Sequence, residues 1–143
     1  MKIAIGCDPN ATEYKKILTP FVEEMGHEVV DYGTHTSESC DYPVYGAKVA
    51  KAVASGEVEQ GILICGTGVG ISLAANKVKG IRCGLCTSIE MAELTKKHNN
   101  ANMIALGGRT TDPELAVKIT DAWLDTAFEG GRHERRTDML DEM

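Results

Sequence analysis

A cysteine at the start of a glycine-rich loop is the feature of this sequence best suited to do chemistry. Cys65 ends an apolar segment that begins at Gly61, and the loop that follows is Gly66, Thr67, Gly68, Val69 and Gly70. Such glycines let the backbone turn its N–H groups towards a bound anion. Residues 71–77 are predicted to form a helix, whose N-terminal dipole adds positive potential there. Since positive potential stabilises a thiolate, Cys65 can act as a base or nucleophile; a packed cysteine before a tight turn is the alternative.

The loop differs from the known nucleotide-binding patterns. The dinucleotide fingerprint G-x-G-x-x-G follows a first strand, whereas this loop follows a later one and has Ile71 in place of the last glycine. No G-K-[ST] follows it, so it is not a P-loop. A thiol phosphatase would need an arginine six residues after Cys65, and that residue is again Ile71. A small phosphorylated ligand fits the loop better than a nucleotide does.

Length and charge limit the classes of function. The 143 residues suit a single domain, 1–143, with a charged tail at 129–143 that is expected to be partly helical. The net charge of −6 argues against nucleic acid or an anionic membrane as a partner. No apolar run reaches membrane-spanning length, and the first residues are predicted to form a strand, so no signal peptide is expected.

The cysteines indicate reduced thiols in a cytoplasm. Their number is odd, and the five are Cys7, Cys40, Cys65, Cys83 and Cys86. Cys83 and Cys86 have the spacing of a redox or zinc half-site, but residues three apart on a strand point to opposite faces, which favours core packing. No set of His, Cys and carboxylate residues has metal-ligand spacing, so neither a metal nor a cofactor is predicted.

Apolar strands alternate with helical segments along the whole chain. The strands are predicted at 2–7, 28–32, 61–65, 81–86 and 103–106. The helices are predicted at 12–25, 43–55, 71–77 and 88–98, with a final helix that begins near Pro113. Ser88 and Asp112 are expected to be N-caps, and Pro20 is expected to kink the first helix or shift its boundary.

This alternation predicts an α/β fold with a doubly wound, Rossmann-like parallel sheet of five strands in the order 2-1-3-4-5. Ligands of such sheets bind beyond the carboxyl ends of the strands, where the strand order reverses. That point lies between the first and third strands. The loop of Asp8, Pro9 and Asn10 is therefore expected to meet the loop after Cys65.

Five motifs in order resemble the ribose-5-phosphate isomerase B family. They are Ile-Leu-Ile-Cys-Gly-Thr-Gly-Val-Gly-Ile-Ser, Ala-Ala-Asn-Lys-Val-Lys-Gly-Ile-Arg, Lys-His-Asn-Asn-Ala-Asn, Leu-Gly-Gly-Arg and Phe-Glu-Gly-Gly-Arg-His-Glu-Arg-Arg. The family also includes allose-6-phosphate isomerases and subunits of galactose-6-phosphate isomerase. The resemblance implies an aldose–ketose isomerase of ribose 5-phosphate that needs no cofactor. An isomerase of a six-carbon aldose 6-phosphate, or a non-catalytic sugar-phosphate-binding protein, is the alternative.

The resemblance also implies roles for individual residues. Cys65 would be the base that moves a proton between C1 and C2, and Thr67 and the backbone amides from Gly66 to Gly70 would hold the developing oxyanion. His98 would open the sugar ring and Asn99 would orient the substrate. The expected phosphate ligands are Arg109, Arg132 and Arg136. Without the resemblance, His98 could be a histidine that interacts with a helix dipole, and the tail arginines could be a solvated face. The histidines at 27, 35 and 133 are predicted to be surface or loop residues.

One position departs from the family pattern. Family members usually have Asp-His after the first strand, whereas this chain has Asp8 followed by Pro9, which offers neither a side-chain donor nor a backbone N–H. The family also implies a homodimer or tetramer, in which the equivalents of His98 and Arg109 reach across to the partner's site.

Overall fold

The computed structural model describes residues 1–34 and 41–143, which form a parallel sheet with helices on both faces. The predictions for His35 and Cys40 lie outside these residues. The strands are β1 (Lys2–Cys7), β2 (Glu28–Gly33), β3 (Gln60–Cys65), β4 (Cys83–Leu85) and β5 (Met103–Gly107). The helices are α1 (Thr12–Glu24), α2 (Tyr42–Ala54), α3 (Val69–Asn76), α4 (Ile89–Asn99), α5 (Pro113–Asp125) and α6 (Arg132–Glu142), and a 3-10 turn at Pro9–Ala11 precedes α1. None of the helices among the described residues is both long and apolar enough to span a membrane.

The five-stranded parallel sheet is confirmed, but the predicted order of its last two strands is wrong. The observed order is β2-β1-β3-β5-β4, with β5 paired to β3 and β4 at the edge. The physical reason is burial. All five residues of β5 are buried, whereas the three residues of β4 are only partly buried. A short, half-exposed strand belongs at an edge and a fully apolar one in the interior of the sheet.

The two faces of the sheet form two separate apolar cores, because side chains alternate along each strand. Ile62 and Ile64 point to the face covered by α1 and α5, where Trp123 is fully buried. Leu63 points to the opposite face, which α2 and α3 cover. Both faces of the central strands are therefore dry, which explains why their sequences are continuously apolar.

The helix ends agree with the sequence in most places. The Ser88 and Asp112 side chains cap α4 and α5 by accepting hydrogen bonds from backbone amides. The boundary of α1 does not shift at Pro20, because burial of Leu18 and Val22 outweighs the local penalty of a proline.

Helix α3 begins earlier than predicted. It starts at Val69 and not at Ile71, so Val69 and Gly70 belong to its first turn. Gly68 caps this turn with a φ of 81°, a left-handed conformation that glycine adopts without strain. A side chain at position 68 would also lie 2.6 Å from Leu85 Cδ1 and 3.0 Å from the Leu106 carbonyl carbon. Both the conformation and the available space thus require a glycine at the start of α3.

We expect Gly68→Ala to lower the free energy of unfolding by about 1–3 kcal/mol, because it combines a strained φ with a backbone clash. Gly66→Ala is the matched control, since a methyl group at position 66 would contact nothing within 4 Å. Urea denaturation of both variants measures the difference. Equal stability of the two variants would contradict the close packing of this turn.

Candidate active site

The loops after β1 and β3 meet at the carboxyl edge of the sheet, as the sequence predicts. The amide of Asp8 donates to the carbonyl oxygen of Ile64 at 3.0 Å. Asp8 Oδ1 in turn accepts a hydrogen bond of 3.1 Å from the amide of Asn10, which fixes the short turn that contains Pro9. This turn therefore lies directly beside the end of β3.

The Cys65 thiol lies inside the turn that links β3 to α3. Its residue is 6% exposed, and the Gly68 amide donates to Cys65 Sγ at 3.2 Å. The Thr67 hydroxyl accepts a hydrogen bond of 3.2 Å from the amide of Val69. Because the first amides of a helix lack partners within the helix, the first turn of α3 offers donors next to the sulfur. The sulfur is thus held in a polar, donor-rich turn.

The loop after β5 completes this site. The Gly108 amide donates to the Cys65 carbonyl at 2.8 Å, and the Arg109 amide donates to the Gly66 carbonyl at 2.9 Å. A cavity of about 240 Å³ opens between the three loops and is lined by Asn10, Ala11, Cys65, Gly66, Gly108 and Arg109. We call it the Cys65 cavity. Arg109 thus lies beside the cysteine of its own chain, whereas the family resemblance led us to expect it to reach across to a partner.

His98 and Asn99 lie at the amino ends of the strands, opposite the ends where Cys65 lies. They end α4, which returns from the carboxyl ends of the strands to the amino end of β5. The Arg82 guanidinium, just before β4, donates from Nε to the Asn99 carbonyl at 3.0 Å. Gly61 pairs with Met103 and Cys65 with Gly107, so the two edges are about 13 Å apart at 3.3 Å per residue. Within one chain, the two predicted catalytic side chains are therefore separated by the length of a strand.

The His98 side chain forms a cluster with two others. We call His98, Glu129 and His133 the α4–α6 cluster. The His98 and His133 rings stack with centroids 4.3 Å apart and an interplanar angle of 16°. His98 Nε2 lies 3.4 Å from Glu129 Oε1. One donor atom from each residue lies within 4.8 Å of the others, so the fold brings together three potential ligands that have no metal-ligand spacing in the sequence.

The prediction that His133 is a surface residue is also wrong. Its residue is only 9% exposed, because α6 packs against α4 and places the ring on His98. Burial lowers the pKa of His133, and the positive charges of His98, Arg132 and Arg136 lower it further, while Glu129 opposes them. His133 therefore favours its neutral form more than a free histidine does.

The tail arginines lie on α6, beside this cluster. Arg132 and Arg136 are exposed and one helical turn apart, so the prediction of a helical tail is confirmed. Gly130 and Gly131, with φ of 69° and 57°, form the turn that leads into α6. The two arginines therefore lie near His98, at the amino ends of the strands, and not beside the Cys65 cavity.

The remaining described cysteines are unsuited to nucleophilic chemistry. Cys7, Cys83 and Cys86 are free thiols. Burial raises the pKa of Cys7 to about 11 and the pKa values of Cys83 and Cys86 to about 12. Cys83 and Cys86 pack into opposite cores, as their spacing predicts. These three thiols stay protonated at neutral pH and act as packing residues.

Glu129 and His133 are the residues that sequence reasoning missed. Both belong to the Phe-Glu-Gly-Gly-Arg-His segment, in which only the arginines received a role. The signal available was the pair of glycines, which can fold the tail back onto the chain.

Comparison with known proteins gives matches over nearly the whole chain. A family model described as Ribose/Galactose Isomerase matches residues 3–140. Ribose-5-phosphate isomerase B of Escherichia coli K12 is 50% identical over 97% of this chain and 93% of its own length. The galactose-6-phosphate isomerase subunit LacB of Clostridium acetobutylicum is 43% identical over 90% of this chain and 74% of its own.

A solved structure shows the same fold. The ribose-5-phosphate isomerase B of Clostridium thermocellum superimposes with a TM-score of 0.97 and 51% sequence identity, over 99% of this chain and 96% of that one. Fold and sequence agree with these proteins across nearly the whole length, and the chain belongs to the Ribose/Galactose Isomerase family.

Proposed function

We propose that this protein is an aldose–ketose isomerase that interconverts ribose 5-phosphate and ribulose 5-phosphate. The observation that carries the proposal is the position of Cys65 in a small polar cavity next to the first turn of α3, in a chain of this family. The 50% identity to a ribose-5-phosphate isomerase B supports ribose 5-phosphate as the substrate.

The proposed reaction starts from the open-chain sugar. The Cys65 thiolate removes the proton from C2, and the electrons of that C–H bond form an enediolate with its negative charge on O1. A proton then passes from the C2 hydroxyl to O1, and the Cys65 thiol returns its proton to C1, which leaves a carbonyl at C2 and regenerates the thiolate. Negative charge develops on the substrate oxygen in this step. Thr67 and the amides of Gly66 and Gly70 stabilise that oxygen, since donors aimed at a developing charge lower the barrier. The amides of Gly68 and Val69 already donate to Cys65 Sγ and to the Thr67 hydroxyl, so they hold the base and the oxyanion donor in place. Asp8 and Pro9 border the substrate from the β1 side.

The ring must open before this proton transfer. We assign ring opening to His98, with Asn99 as the residue that orients the sugar, because a histidine exchanges protons near neutral pH. Arg109, Arg132 and Arg136 bind the phosphate through charge-assisted hydrogen bonds. Every step has a side chain or amide assigned to it, so the proposal requires no metal or cofactor.

This assignment requires two copies of the chain. Cys65 lies at the carboxyl ends of the strands and His98 at the amino ends, and these ends are about 13 Å apart, so one pentose bound at Cys65 does not reach His98 of the same chain. We therefore propose a homodimer, or a tetramer of such dimers, in which the α4–α6 cluster of one subunit faces the Cys65 cavity of the other. Exposed apolar side chains on α3 and α4, including Leu73, Met91 and Leu94, favour such a contact.

Residues 1–143 act in this proposal as one sugar-phosphate isomerase domain, with 129–143 as its arginine-bearing tail. The free thiols of the described residues favour a reducing compartment, and we propose the cytoplasm.

A six-carbon aldose 6-phosphate is the second candidate substrate. Two observations favour it: Pro9 in place of the family's usual histidine, and the 43% identity to a galactose-6-phosphate isomerase subunit. Turnover of ribose, allose and galactose phosphates by the purified protein decides between the two substrate classes.

We expect Cys65→Ala to reduce the isomerisation rate by about 10²–10⁴, the usual contribution of a general base. Binding of the sugar phosphate should remain largely intact, because the thiolate acts on C2 and not on the phosphate. The measurements are kcat by a ribulose-5-phosphate assay and Kd by calorimetry. Cys86→Ala is the control, since that thiol is buried in the other core. Activity of Cys65→Ala within about threefold of the parent would contradict the assignment.

We expect Cys65→Ala and His98→Ala to be inactive alone and to complement each other when mixed. Random exchange of subunits makes half of the dimers mixed, and one of their two sites then has both functional residues. The mixture should recover about a quarter of the parent activity. The measurement is activity after mild unfolding and joint refolding, with each variant refolded alone as the control. No recovery despite proven subunit exchange would argue against a shared site.

We expect Pro9→His to lower KM for ribose 5-phosphate with little change in kcat, because a contact to the phosphate supplies uniform binding. A hydrogen bond to a charged group contributes about 1.5–3 kcal/mol, or ten- to a hundredfold in affinity. Pro9→Ala is the control that removes the ring without adding a donor. If the protein turns over a six-carbon phosphate much faster than ribose 5-phosphate, and Pro9→His damages that activity, the pentose assignment is wrong.

A further inference from the structure

We propose that the α4–α6 cluster is an inhibitory binding site for a borderline divalent cation of the zinc class, with His98, Glu129 and His133 as its three protein ligands. Two imidazoles and a carboxylate suit zinc, cobalt or nickel and not magnesium or calcium, which prefer all-oxygen sites. The proposed isomerisation assigns no role to Glu129 or His133.

The geometry of the first two ligands already fits such an ion. Zinc binds nitrogen and oxygen at 2.0–2.2 Å, so two ligands at a tetrahedral angle lie about 3.4 Å apart. His98 Nε2 and Glu129 Oε1 are 3.4 Å apart. One ring nitrogen of His133 lies within 4.8 Å of a donor atom of each of the other two residues. The His133 ring must turn out of its stack with His98 to bring that nitrogen to ligand distance. A fourth position stays open to water.

The backbone holds the three ligands together without an ion. The amide of Glu129 donates to the carbonyl of Lys97, the residue before His98, at 3.1 Å. The His133 amide donates to the Gly130 carbonyl at 3.1 Å, which ties the third ligand to the same turn. The ligands therefore come from α4, from the following loop and from α6, but share one connected backbone network. A site held in this way loses little conformational entropy when an ion binds.

Nearby charges set an upper limit to the affinity. The C-terminal dipole of α4 favours a cation, whereas Arg132, Arg136 and the N-terminal dipole of α6 oppose it. This balance suits a reversible site and not a permanently occupied structural one. Bound metal takes up Nε2 of His98 and so blocks ring opening. That inhibitory effect rests on the proposed function, whereas metal binding itself does not.

The binding test uses zinc chloride alone with the full-length protein. Calorimetry should show one zinc per chain, and magnesium at the same concentration should not bind. Glu129→Gln, which keeps the size of an exposed side chain, should weaken zinc binding by about tenfold or more, and so should His133→Ala. His27→Ala and Cys65→Ser are the controls and should bind like the parent. If Cys65→Ser abolishes binding, or Glu129→Gln leaves it unchanged, the proposed site is wrong.

The second test separates this site from the proposed reaction. Zinc should inhibit isomerisation of ribose 5-phosphate, a chelator should restore the activity, and Glu129→Gln should raise the zinc concentration for half inhibition by about tenfold. If Glu129→Gln loses zinc binding but zinc does not inhibit the parent enzyme, the metal site is supported and the proposed role of His98 in ring opening is contradicted. Inhibition that remains the same in Glu129→Gln would overturn the inhibitory site.

Discussion

The close backbone contact between the loops after β3 and β5 is the constraint on which the Cys65 cavity depends. Two hydrogen bonds join these loops, from Gly108 to the Cys65 carbonyl and from Arg109 to the Gly66 carbonyl. Glycine permits the approach: a side chain at Gly107 would lie 2.9 Å from the Thr67 carbonyl, and one at Gly68 would lie 3.0 Å from that of Leu106. A larger residue at either position would separate the loops and open the cavity.

The exchange of β4 and β5 in the sheet has a direct consequence for function. If β4 were next to β3, the loop after β5 would lie one strand further from the cysteine, about 5 Å away in the plane of the sheet. The observed order instead makes β5 the neighbour of β3 and brings Arg109 to the edge of the Cys65 cavity. The edge strand β4 is preceded by Arg82, whose guanidinium donates a hydrogen bond to the carbonyl of Asn99 at the end of α4.

The parallel sheet also explains why the candidate residues form two groups. Loops that follow strands lie at the carboxyl edge, and helix ends that lead into strands lie at the amino edge. Cys65 belongs to the first group and His98 to the second, so no change of loop conformation can unite them in one chain. The two glycines before α6 add Glu129, His133 and the tail arginines to the second group. Each chain thus carries two separate groups of candidate residues, which the symmetry of the proposed dimer would bring together.

The amino-acid sequence by itself determined the elements and the carboxyl-edge loops. Apolar runs, N-caps and glycines act over a few residues, which is why β1, the start of α5 and the meeting of Asp8 with the end of β3 were predictable. Tertiary structure decided the strand order, the earlier start of α3 and the α4–α6 cluster. These features depend on which surfaces pack against each other. Full burial places β5 inside the sheet. Packing of α6 on α4 brings together residues 98, 129 and 133, and their spacing in the sequence does not predict that contact.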